Sequence, residues 1–350
     1  MASSAHIVAT EARCAVGLTA SSAAAAVRAG ISRIIEHPLF EDEDGERVLC
    51  AWDPGIDPAI VGVDRIARLS ELALGQIAKK LSGLNAWPAD VSVLLAFPEV
   101  RPGFGADAAA QIARRHSTGG VPETRSMRFG HVGDGHAGAL SALRAAVSVV
   151  STGQQDVVIV GGVDSYCDAA TLAWLDGQRR LARSGIRSGF PPGEGAAFMA
   201  VASERICDRL GLESLARVRS VACTQETRDP LSDVGPLGEA LGKAVLEAVR
   251  DLNPPEEVIT DAYGDLNGEL ARNHDWGFAV LRAARYFRDA SDYVSPVSEC
   301  GDVGAATGAL GCVLATEAWK SRRAKGPRAL LWAGSWNGLR AAAVLEHAAV

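Results

Sequence analysis

Gly153-Gln154-Gln155-Asp156-Val157-Val158-Ile159-Val160-Gly161-Gly162-Val163-Asp164-Ser165 is the stretch on which the fold reading turns. A polar turn leads into residues 156–160, a β-branched apolar run of strand length. Gly161-Gly162 is expected to stop that strand. The run is apolar without alternation, as a strand covered on both faces must be. Just upstream, residues 138–151 are small and apolar at helical spacing. Helix, tight turn and buried strand in succession predict an α/β protein with a parallel sheet.

The same grammar extends outward. Upstream, residues 6–10 read as a strand and 20–30 as an Ala-rich helix ending on Gly. Residues 37–60 are polar and broken by Pro and Gly, which predicts a long loop. Residues 65–81 read as a helix, 91–97 as a strand and 106–115 as a helix. Downstream, 163–195 is loop-rich and 196–202 is an apolar strand. The remainder repeats the plan in shorter form: strands at 217–223 and 258–262, helices at 238–252, 268–288 and 304–316, and final strands at 328–333 and 341–346. Two halves are expected, 1–208 and 209–350.

Bulk composition narrows the function. The 350 residues are 48% hydrophobic and 22% charged, which suits a globular protein with a large core. The net charge of −7 and the absence of a dense Lys/Arg stripe argue against a nucleic-acid partner. No apolar run spans a bilayer and the start has no signal-peptide pattern, so a cytoplasmic protein is expected. Seven cysteines, an odd number with no CxxC pair, read as buried thiols. No metal and no cofactor are expected. Arg179, Arg180 and Arg183 read as a solvated face, and His37, His116 and His347 as surface residues.

Gly133-Asp134-Gly135-His136-Ala137-Gly138 matches the dinucleotide-binding spacing GxGxxG. It is set aside on two grounds. Residues 127–132 make a poor buried strand, with Arg128 and His131 inside. Asp156, the acid at the right distance, precedes the next strand instead of ending one.

Several segments together resemble the β-ketoacyl synthases of the thiolase superfamily. The 153–165 stretch is similar to that family's turn, strand and double glycine. Arg187-Ser188-Gly189-Phe190-Pro191-Pro192-Gly193-Glu194-Gly195-Ala196-Ala197-Phe198 resembles its G-F-x-x-G-E-G-A segment, and residues 301–311 resemble its G-H-x-x-G-A-A-G segment. The opening, residues 8–31, resembles the first strand, loop and helix. The resemblance implies two pseudo-symmetric βαβαβαββ halves in a five-layered αβαβα arrangement, and a homodimer.

It also locates a missing chemistry. The family's nucleophilic Cys falls on His136, its two His on Tyr263 and Asp302, and its Lys on Val297. No Cys lies between Cys50 and Cys167. Imidazole, phenol and carboxylate cannot replace a thiolate nucleophile in condensation. Two readings of His136, Tyr263 and Asp302 stay open: a vestige whose polar groups satisfy one another, or a new acid–base site in a divergent acyl-handling enzyme. The gating loop near the C-terminus is altered as well, where Trp336 and Arg340, with Phe190, are placed to fill the acyl pocket.

Asp265, Asn267, Glu269, Arg272 and Trp276 form a dense cluster, read either as a binding surface or rebuilt pocket wall, or as a turn, a helix cap and surface ion pairs. This segment and residues 94–103 are similar to ketosynthase-like proteins found beside bacterial type VI secretion genes. The resemblance implies a protein partner: an active synthase, a carrier protein or secretion-effector proteins.

Overall fold

The computed structural model describes residues 4–83, 91–117, 127–183, 185–229, 232 and 235–348. The first part of the chain runs β1 (Ala5–Cys14), α1 (Ala20–Arg28), β2 (Ile35–Glu41), β3 (Arg47–Cys50), α2 (Gly62–Ser82), β4 (Val91–Phe97) and α3 (Ala108–Arg115). It continues with β5 (Met127–Asp134), α4 (Gly138–Ser151), β6 (Val157–Ser165), α5 (Ala169–Gly177), β7 (Glu194–Ser203) and α6 (Glu204–Leu210). The second part runs β8 (Ala216–Gln225), α7 (Glu239–Val249), β9 (Asp261–Tyr263), α8 (Leu270–Ala283), α9 (Val297–Cys300), α10 (Thr307–Lys320), β10 (Arg328–Gly334) and β11 (Leu339–Glu346).

Nine strands follow the order β5-β4-β6-β7-β1-β8-β11-β10-β9, and β2 pairs with β3 in a separate hairpin. Outward from β1, the strand pairs are antiparallel, antiparallel, parallel, parallel. Outward from β8 they are antiparallel, antiparallel, parallel. The two sections therefore share one topology, the second being a strand shorter. Where its outermost strand is expected, only single bridges remain, Ile259 with Phe287 and Tyr263 with Val294. The sections meet where Ala5–Ile7 pairs with Ala216–Val218.

Side-chain alternation builds the layers. On β6, Val158 and Val160 face inward against Leu140 and Leu143 of α4 and Leu310 and Val313 of α10. Leu331 and Leu345 of the second section pack against the same two helices. Ile159 points the other way, onto Leu69, Leu74 and Ile77 of α2 and Ile112 of α3. Leu330, Trp332 and Val344 likewise face outward onto α7 and α8. Helices, sheet, helices, sheet and helices thus stack in five layers. Each fully buried Leu or Ile contributes roughly 1.5–3 kcal/mol.

The structure corrects several sequence expectations. Each section is mixed, because β1 and β7 run antiparallel to their neighbours. The double glycine does not end β6, which continues to Ser165. A Cβ on Gly162 would sit 2.0 Å from the carbonyl oxygen of Ala305, so the glycine lets the turn before α10 press onto the strand. Residues 127–132 do form a strand, β5; lying at the sheet edge, it tolerates Arg128 and His131 because one side is open. Residues 37–60 contain parts of the β2–β3 hairpin. His116 and His37 are buried, the first bonded to Ser70 at 3.0 Å and the second packed edge-on against Trp52. All seven cysteines are free, and six are buried. Among the described residues no helix is long and apolar enough to cross a membrane.

Candidate functional site

His136 stands at the elbow between β5 and α4. Gly135 turns the chain there with φ +67°, and a Cβ on it would come within 2.7 Å of the Glu99 carboxylate. Asp302 comes from the turn between α9 and α10, brought close by the glycine contact with β6. Its carboxylate faces His136 Nε2 at 2.8 and 3.0 Å. Facing a carboxylate, Nε2 must carry the proton and donate it. Nδ1 is then the nitrogen that can accept from Arg272 Nη2 at 3.0 Å, although Nη2 also lies 3.2 Å from Nε2.

The remaining contacts close the set. Asn267 Nδ2 donates to Asp302 at 2.6 Å and to Glu269 at 3.0 Å. Arg272 also donates to Asp265 and to the Gly334 carbonyl. Arg180 Nε donates to Glu269 at 2.8 Å. Two guanidiniums and three carboxylates are thus buried together, each with partners. Burial pushes the Asp302 carboxyl up, but His136, Arg272 and Asn267 outweigh it and hold it well below the usual carboxylate range. Burial likewise opposes the charge on Arg272, and Asp265, Glu269 and Asp302 more than restore it.

The expected triad does not assemble as counted along the chain. His136 and Asp302 meet, whereas Tyr263 is the last residue of β9 and belongs to the central packing layer with α10. The loop beyond β9 delivers Asn267 instead, four residues later. Asp265, Asn267, Glu269 and Arg272 form a buried wall and not a surface, because the loop folds inward beneath Gly189 at Gly268. Trp276 is core, stacked on Trp332 at 3.6 Å. Arg180, read from sequence as solvated, is buried. No local pattern announces it, since its partners lie in distant segments.

The altered loop residues close the site. Trp336 lies under the Arg180 guanidinium, 4.0 Å from ring centre to Cζ. Phe190 is fully buried beside Tyr166. Arg340 is tied to Asp275 at 2.6 Å and to the Ser335 carbonyl at 2.8 Å. Ser335 accepts the Ala137 N–H at 3.0 Å, and Glu99 accepts the N–H groups of Trp336 and Asn337. A cavity of about 390 Å³ lies against Arg101, Tyr166, Trp174, Arg180 and Trp336 but does not reach His136. The space beside His136, bounded also by Asn267, Val297 and Asp302, is about 10 Å³, less than one acetyl group needs. No hydroxyl or thiol among the described residues is hydrogen-bonded to His136.

The GxGxxG segment does lie on a strand, turn and helix, but Asp156 precedes β6 and binds Arg205 and Arg209, each at 3.1 Å. Among the described residues no group of three or more His, Cys, Asp or Glu side chains is arranged to hold a metal ion.

The fold is a ketosynthase-like fold of the thiolase type. The chain superposes on an oxazolomycin ketosynthase domain from Streptomyces albus with a TM-score of 0.76 and 16% identity, over 99% of this chain and 74% of that one. The ishigamide ketosynthase/chain length factor gives 0.71 and 21%, over 98% and 99%. A type II polyketide ketosynthase, solved in complex with its acyl carrier protein, gives 0.76 and 12%, over all of both chains. No family model matches the sequence, and no curated protein does.

Proposed function

We propose that this protein is a non-condensing ketosynthase-like subunit that acts as a scaffold, adaptor or partner and not as a carbon–carbon bond-forming enzyme. One observation carries the reading. The elbow where the resemblance places a nucleophile holds a buried imidazole, saturated by Asp302 and Arg272 and sealed from the neighbouring cavity. A thiolate is missing, and so is room for an acyl group.

The proposed partners are an active synthase, an acyl carrier protein or secretion-effector proteins of a type VI system. Two solved neighbours support a protein partner: one is described as a ketosynthase/chain length factor and another as bound to a carrier protein. We further propose halves at 1–208 and 209–350, a cytoplasmic location and a homodimer. The edge position of β5 supports the dimer; light scattering on the purified chain tests it.

A second reading, a divergent acyl-handling enzyme, draws on the direct His136–Asp302 contact, which is a general-base geometry. Intact mass after incubation with acyl-CoA, malonyl-CoA and acylated carrier protein separates the two. The scaffold reading expects no adduct and no malonyl decarboxylation. A stoichiometric acyl adduct mapped to His136 or a neighbour overturns it.

A further inference from the structure

A second cavity, of about 280 Å³, lies away from His136, between α1, α10 and the edge strand β9. Its wall is apolar: Ala24 and Val27 from α1, Ala262 from β9, Leu314 and Ala318 from α10. Tyr263 also lines it. That residue is only 7% exposed, and its hydroxyl makes no hydrogen bond within the described residues but reaches accessible space at the cavity. It is therefore available to donate to whatever fills the cavity, water or ligand. Burial, and secondarily the nearby Asp261, pushes that phenol above its usual range, so it stays a donor.

The rim supplies charge. Arg28 and Arg323 are exposed, line the mouth and have no acidic partner among the described residues. The acids nearby are already engaged. Asp292 pairs with Lys325, and Asp261 accepts the Lys325 backbone N–H at 3.1 Å and the Thr260 hydroxyl at 2.9 Å. With Arg28, Arg323 and Lys325 set against Asp261 and Asp292, the lining carries one net positive charge over a largely apolar interior. At roughly 30 Å³ per water-sized group, the volume accommodates about nine such groups.

We propose that this cavity binds a free medium-chain carboxylate, its alkyl chain against Leu314 and Ala318 and its head group at Arg28 and Arg323. The site stands apart from the His136 network and does not depend on whether that network is inert.

Isothermal titration calorimetry with octanoate, and with 1-octanol as the neutral-headed control, tests it on the full chain. Octanoate is expected to bind one per chain. R323Q is expected to weaken it roughly tenfold, the worth of one charge-assisted hydrogen bond, and 1-octanol to bind correspondingly less tightly. A318F fills the cavity from α10 and V27F from α1; each, checked for native circular dichroism, is expected to abolish binding. Absence of octanoate binding at millimolar concentration, equal binding of 1-octanol, or retained binding in whichever filled variant folds overturns the proposal.

Discussion

The Arg180 guanidinium sits 4.0 Å from the centre of the Trp336 ring while its Nε holds Glu269 at 2.8 Å. One side chain thus links the lid over the outer cavity to the buried network around His136. Replacing Trp336 with Ala removes the lid's flat face. W336A is expected to cost about 2 kcal/mol through the lost cation–π contact and packing. It is also expected to expose His136 to diethyl pyrocarbonate. Peptide mapping should find His274 and His347 modified in both proteins, but His136 only in W336A.

Arg272 lies among three buried acids, bonded to Asp265 and Glu269 and close enough to Asp302 to stabilise its charge. Its replacement by Met leaves Asp265, Glu269 and Asp302 short of a cation, and a broken buried network costs about 3–5 kcal/mol. Urea unfolding of R272M should show that loss. R250M is the control, because the exposed Arg250–Asp251 pair is expected to matter by less than about 0.5 kcal/mol.

His116 predicts an acid-dependent stability. Burial, together with Arg115 and against the pull of Glu71, lowers its pKa from the ordinary 6.5 to about 4. The unfolded chain therefore takes up this proton at higher pH than the folded one. Its contribution is intact above about pH 6.5 and is lost as pH falls toward 4, by about 3 kcal/mol. Unfolding free energies between pH 7 and 4 should show a shallower slope in H116Q. An unchanged slope would contradict the burial argument.

Gly162→Ala tests the contact that brings Asp302 to His136. The new methyl would meet the Ala305 carbonyl at 2.0 Å, backbone against strand, with no flexible side chain to yield. A loss above about 3 kcal/mol, or failure to fold, is expected. Gly177→Ala on α5 has open space and should be neutral or slightly stabilising in the same thermal melt.

The legible parts were those whose signal is local. Residues 91–97 and 138–151 are bounded in the structure as the sequence predicts, because apolar periodicity and flanking breakers coincide there. β6 overran its reading because Gly161 and Gly162 serve a neighbouring element, Phe198 and the turn at Ala305, and not the strand's end. His136 and Asp302, placed by counting from glycine landmarks, do face each other in the structure. For Tyr263 the count fails, since it cannot see that β9 ends there and that the loop travels on to Asn267. Arg180 and Glu269, 89 positions apart, carry no pattern that couples them.

The two ends of the long sheet are unlike. At β9 the outer edge is met by chain at Phe287 and Val294, while no described strand lies beyond β5. A molecule with two open edges can add copies without limit and grow into a fibre. In the homodimer proposed above, pairing of β5 with its counterpart across a twofold axis would use up that edge and stop assembly at two.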